Sequence, residues 1–347
     1  MFLAKFVFFS FFSLSIFARE IVQTIWGEEE MNDPLLEELL NSKALQRLKM
    51  IDVSGPNPYF GLMPYFSRFD HSVGVWVLLK KVGLSLKEQA AGLLHNESHL
   101  PFSHLADNLF EMENQEHSYQ DTIHLWHLSQ TDAVKIAERY DVKLKELNPD
   151  LPEYKGLEQG LPDMCADRIQ YNIHTGVIMK KITKDDAARL IKNLKFDEEK
   201  WYFQNKEDAL IFGRLPLHFT KTIWGDPLNA ALYHYFAKAL KRAITIGLLK
   251  KEGLFFGKDQ DVMNILNASK DDEIMKNLLA IGRLNESFSL VDKDFDKYVR
   301  PKFRGIDPLI KVKGKLTRLS NLDDDFKKSF EEVKEWCKKG YGLKFKF

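Results

Sequence analysis

Cysteine is nearly absent: Cys165 and Cys337 are the two in 347 residues, and they show no metal-type spacing. That excludes a disulfide-stapled fold and a Cys-rich zinc module. Net charge is absent too, because 50 basic residues cancel 50 acidic ones. Such a balance argues against a polyanionic partner or an anionic membrane surface, and no specific nucleic-acid binding is expected; small anions stay open as ligands. No period of roughly 20 to 50 residues repeats, and no low-complexity linker divides the chain, which excludes solenoids and propellers.

The one long apolar run is at the start. Lys5 precedes an unbroken apolar and serine stretch from Phe6 to Ala18, after which Arg19 and Glu20 restore a soluble composition. This is signal-peptide grammar over residues 1–18 and sets the expectation of an exported or periplasmic protein. The stretch falls short of the about 20 apolar residues a spanning helix needs. An uncleaved anchor fits the same residues, as does a start codon placed too far upstream, with Met31 the true start and the protein cytoplasmic.

Beyond the leader the periodicity is mostly helical. Ser85-Leu86-Lys87-Glu88 has the form of a capping box and opens a segment with Ala90, Leu93 and Leu94 at helical spacing, leading into His95. From Arg68 to Lys81, Val75, Leu78 and Leu79 share the face of His71, which should point inward. Asp226-Pro227 and Ser269 open further helices in the second half. Strand-like residues occur only at Ile21 to Trp26, Leu309 to Leu316 and Gly342 to Phe347. The expected fold is all-α: a helical bundle over 19–183, a mostly helical C-terminal extension over 184–347, and minor peripheral β-strands.

The chemistry-bearing residues concentrate between Arg68 and Tyr171. Arg68-Phe69-Asp70-His71-Ser72-Val73-Gly74 is followed by His95-Asn96-Glu97-Ser98-His99 and Pro101-Phe102-Ser103-His104, and later by Asp167-Arg168-Ile169-Gln170-Tyr171. Isolated histidines such as His124, His127, His174, His218 and His234 read as packed or surface residues. The cluster is different, because His and carboxylate ligands from separate helices are how a bundle builds an interior metal site. Such a donor set suits a divalent transition metal (Mn, Fe, Co, Ni or Zn) better than calcium.

These motifs resemble the HD superfamily of metal-dependent phosphohydrolases, and within it the deoxynucleoside triphosphate triphosphohydrolase branch. The family pattern is a His in an R-F-x-H-S-x-G context, a His-Asp doublet and a distant Asp, places taken here by His71, His95 with Asn96, and Asp167. The likeness extends to His99, to the Pro101-Phe102-Ser103-His104 run, to His117 and, upstream, to Leu45-Gln46-Arg47-Leu48. It implies an HD-type core over 19–183 that hydrolyses a nucleotide, dNTP-like, or a related phosphoester through a metal-activated water. It further implies metal ligation by His71, His95, Asn96 and Asp167, and catalytic roles for His99, His117 and Arg68. Substrate binding would fall to Arg68, His104, Arg168 and Tyr171, although core packing explains Tyr171 equally well. Related enzymes often assemble into homo-oligomers.

Two departures from the family bear on function. The doublet reads His95-Asn96, so a carbonyl oxygen replaces a carboxylate and one negative charge is lost, which should weaken metal retention. A degenerate HD protein acting as a binding or regulatory module is therefore the alternative, and a structural role for the C-terminal half, including its run over 300–308, is a third. Asp163, one turn before Asp167 on a continuous helix, is a reserve carboxylate. The second departure is Asp52, which stands where the triphosphohydrolase branch reads the sugar; a carboxylate there suits a triphosphate poorly.

Overall fold

The structure is a computed structural model and describes residues 20–110, 118–197 and 199–347. The leader expected over 1–18 and His117 lie outside the described residues.

Side-chain caps define the helices that carry the site. Ser67 accepts from Asp70 N at the start of Arg68–Lys81, and Ser85 accepts from Glu88 N at the start of Leu86–Leu94. Only half of the expected capping box forms there. The Glu88 carboxylate is buried and accepts instead from Gly156 N at 2.8 Å and Leu157 N at 3.1 Å, fastening a distant loop to the helix.

Arg68–Lys81 is the central helix. Its Val73 and Trp76 face pack with Leu35, Leu39 and Leu45 from the short helices Pro34–Leu40 and Lys43–Arg47. The face carrying Val75, Leu78 and Leu79 packs on Ile169 and Ile173 of Ala166–Ile178. Gly74 sets how closely those two helices approach, since a Cβ there would stand 2.6 Å from Gln170 Nε2. The same buried cluster continues through Trp201, Phe203, Phe212 and Phe326. The boundary expected between 183 and 184 therefore does not divide the packing. A further cluster joins Phe102 and Leu105 to the helices Pro227–Thr245 and Asp272–Gly282.

The all-α expectation needs correction: helices take 56% and strands 12%, with nine strands in three sheets among the described residues, so the content is mixed α/β with helix dominant. Glu20–Thr24 and Gly27–Met31 form an antiparallel hairpin. A four-stranded sheet runs Leu194–Asp197, Lys200–Phe203, Leu309–Val312, Lys315–Arg318, its middle pair parallel. The third places Tyr341–Phe345 between Phe288–Val291 and Lys297–Val299. These strands are three to five residues long and half of their pairings join distant stretches of sequence, so those at 194–203, 288–291 and 297–299 were not expected. Among the described residues no helix is long and apolar enough to cross a membrane.

Candidate metal centre

Three elements converge on one point. His71 lies in the first turn of Arg68–Lys81, His95 caps the C-terminus of Leu86–Leu94, and Asp167 lies in the first turn of Ala166–Ile178. His71 Nε2 is 2.9 Å from Asp167 Oδ1 and 3.2 Å from His95 Nε2, which is 3.6 Å from the same oxygen. Outer partners determine which ring nitrogens carry hydrogen. His71 Nδ1 faces Gln170 Oε1, and His95 Nδ1 faces Gly92 O at 2.6 Å; both partners only accept, so both Nδ1 atoms donate. Two Nε2 lone pairs and a carboxylate oxygen are left facing one another. Burial lowers the His71 pKa, which keeps the ring neutral. Neutral imidazoles with an ionised carboxylate, converging without a hydrogen between them, form a donor set that fits a divalent transition metal.

Asn96 does not complete the set with its oxygen. Arg68 Nη1 can only donate, and it lies 2.5 Å from Asn96 Oδ1, which identifies that atom as the oxygen. The amide nitrogen consequently faces the centre, 2.6 Å from His95 Nε2 and 3.4 Å from Ser72 Oγ. The carbonyl expected to ligate is thus held by Arg68, and a donor stands in its place. Arg68 itself is buried, spends Nε on Ser103 Oγ at 3.0 Å, and has its pKa drawn down to about 10 by burial. Each of its three nitrogens meets a protein oxygen, of Ser103, Asn96 and Val53.

The other expected residues divide. His99 is buried beside the centre with Nδ1 unpartnered and its ring 5.3 Å from that of His104, whose Nδ1 is 3.4 Å from Asp107 Oδ2. Burial pushes the His99 pKa well below its ordinary value. Tyr171 sits half-buried with its ring 6.3 Å from His71. Arg168 donates to Gln159 O and to Asp163 O, and lies 3.9 Å from Glu158. Asp163 is not at the centre. The helix begins only at Ala166, and Asp163 pairs with Lys200 at 2.6 Å and with Arg318. Asp52 is also turned inward, accepting from Ser54 N and Phe66 N at 2.7 Å each.

Several supporting residues had no motif to mark them. Gln170 orients His71. Asp259, from the C-terminal half, accepts from Asp52 N at 2.9 Å and Phe102 N at 2.7 Å, pinning the run over 101–104, where Phe102 and Ser103 both adopt positive φ. His127, read as a packed or surface residue, is fully buried with Nδ1 2.6 Å from Glu97 Oε2 and Nε2 2.5 Å from Phe255 O. Arg47 lies 3.8 Å from the same carboxylate. Glu97→Ala should destabilise the protein by about 3–5 kcal/mol, because the buried Arg47 guanidinium loses its ion-pair partner and the buried His127 ring loses its carboxylate contact; urea unfolding measures it, and a loss under about 1 kcal/mol would mean the network is solvated.

No family model matches the chain. The uncharacterized protein YdhJ of Bacillus subtilis (strain 168) is 31% identical over 327 residues, covering 94% of this chain and 98% of YdhJ. The chain belongs to the family of YdhJ. The metal-dependent phosphohydrolase cns2 of Cordyceps militaris is 27% identical over 296 residues, 84% of each chain. A phosphohydrolase from Bacteroides thetaiotaomicron superposes with a TM-score of 0.67 at 16% identity, over 88% of this chain and 95% of its own. A hypothetical protein from Aquifex aeolicus superposes at 0.66 and 15% identity, over 91% and 99%. These two likenesses establish the fold.

Proposed function

We propose that the chain is an HD-type hydrolase that binds one divalent transition metal through His71, His95 and Asp167 and cleaves a small phosphoester, with nucleotides as the first class to test. The observation that carries this reading is the convergence of His71 Nε2, His95 Nε2 and Asp167 Oδ1 to between 2.9 and 3.6 Å of one another, with both Nδ1 atoms committed elsewhere. The metal-dependent phosphohydrolase cns2 among the relatives supports it. A bound divalent cation supplies a Lewis acid for the phosphoryl oxygen and acidifies water beside it. Around it, Arg68 and Ser72 hold Asn96 so that its N–H2 group faces inward. His99, buried and neutral, presents an imidazole that can exchange a proton with a leaving oxygen, and Tyr171 flanks His71. The degenerate-module alternative is not favoured, since the ligand set survives the loss of the carboxylate at 96.

The test is phosphate release by metal-reconstituted protein across nucleotides and generic phosphoesters. Release from at least one substrate, lost on chelation and restored by metal, is the expected result; a folded, metal-loaded protein that releases phosphate from none would overturn the reading. Asn96→Asp is a second check. It puts a carboxylate oxygen where a donor faces His95, and metal affinity in a chelator competition should rise about tenfold or more. Unchanged affinity would place position 96 outside the metal's reach.

A further inference from the structure

The run over 300–308 forms neither helix nor strand, yet it is held firmly. Pro301 is buried against Gly225, where an added Cβ would stand 2.9 Å from Pro301 Cβ. Phe303 packs edge-on to Phe330 with ring centroids 5.1 Å apart, and its ring fills the space a side chain at position 305 would need. Asp307 N donates to Pro162 O at 3.0 Å, in the loop that leads into the Asp167 helix, while its carboxylate takes Ser320 N and Oγ. The segment is clamped on both sides of Arg304.

Between those clamps Arg304 is half-buried, and its guanidinium lies over the Trp224 ring, 5.5 Å from the centroid. Trp224 in turn meets the Tyr171 ring edge-on at 5.6 Å, and Tyr171 lies 6.3 Å from the His71 ring. A chain of ring contacts therefore leads from the guanidinium to a residue of the metal centre. Among the described residues, no carboxylate pairs with Arg304 and no acceptor takes its five N–H donors, unlike Arg68 and Arg168, which donate to protein atoms. Its positive charge is felt at the Tyr171 and Tyr233 hydroxyls and at the His104 ring. A clamped, partly desolvated guanidinium with free donors matches an oxyanion, for which its planar fork provides two parallel hydrogen bonds.

We propose that Arg304 is a substrate-binding residue: it takes the oxygens of a phosphate on the Tyr171 side of the site, so the C-terminal half supplies part of the substrate pocket. This rests on the phosphohydrolase reading of the same site. The phosphate bound is either the scissile group or a further phosphate attached to it, and the two sources separate by experiment.

Binding of inorganic phosphate and of pyrophosphate is measured by calorimetry on the full-length, metal-loaded protein and on Arg304→Ala, Arg304→Lys and, as a surface control, Arg300→Ala. Arg304→Ala should weaken binding about tenfold or more, as loss of a charge-assisted bidentate contact requires, with Arg304→Lys between and Arg300→Ala unchanged. Weakening of both ligands assigns Arg304 to the scissile group; weakening of pyrophosphate alone assigns it to a second phosphate. Equal affinities for the parent and Arg304→Ala, in samples of matched thermal stability, would overturn the proposal, as would absence of phosphate and pyrophosphate binding by the parent. Where turnover is found, KM should rise with a smaller change in kcat. The calorimetry needs no turnover, so a protein that binds phosphate through Arg304 but hydrolyses nothing would fail the enzymatic reading and leave this one standing.

Discussion

Asp167→Ala should lose at least about a hundredfold in metal affinity and all measurable phosphate release, while the metal-free fold stays intact. The carboxylate is the single anionic member of the converging set, and its Oδ1 is the atom both His71 and His95 approach. Without it, two neutral imidazoles remain, and nothing in contact with both offsets the cation's charge. Folding should be little affected, because Asp167 is a quarter exposed and packs no apolar side chain into the core. Metal analysis after dialysis and a thermal scan of the same sample separate the two effects. Retained metal would shift attention to Glu158 and Cys165, which approach Asp167 from its other side.

A second large effect is expected far from the metal. Asp259→Ala removes the acceptor of two buried backbone N–H groups, those of Asp52 and Phe102. Each unsatisfied donor costs about 1–3 kcal/mol, so a loss of about 3–5 kcal/mol in unfolding free energy is expected. The left-handed Phe102–Ser103 pair loses its anchor as well, and with it Ser103, which receives Arg68 Nε and donates to Asp52 O. Activity should fall with stability. Burial raises the Asp259 pKa to about 7, above its value in the unfolded chain. The folded protein therefore holds this proton more tightly, and the associated stability is fully present below about pH 4 and is lost as pH rises through about 7. The gap between the parent and Asp259→Ala should narrow from about pH 5 to about pH 8 in urea titrations. A gap that stays constant over that range would mean that Asp259 is ionised throughout.

The grouping of His71, His95 and Asp167 was open to sequence reading because ligands carried on helices leave spaced, chemically unusual motifs. What surrounds them was not, for three physical reasons. Side-chain orientation is invisible: Asn96 occupies the expected place, but Arg68 turns its oxygen away, and that depends on a buried guanidinium held by Val53 and Ser103. Helix boundaries are decided by tertiary partners: Asp163 would have shared a face with Asp167 had the helix begun earlier, but Lys200 and Arg318 hold it in the preceding loop. Long-range pairing leaves little local trace: Lys200–Phe203 finds its parallel partner in Leu309–Val312, and Asp259 reaches back to Asp52 and Phe102. The stretch 309–316 could be read as strand-like, although its pairing could not, and two strands emerged on either side of the Lys313-Gly314 turn.

The most direct test of the account is metal content by mass spectrometry on protein purified without chelator, with parallel reconstitution by Mn, Fe, Co, Ni and Zn. Near one metal per chain, lost in Asp167→Ala and accompanied by phosphate release in the parent, is the expected result. A folded protein that holds no metal after reconstitution would contradict the account, and Asn96 would then mark a centre that has ceased to bind.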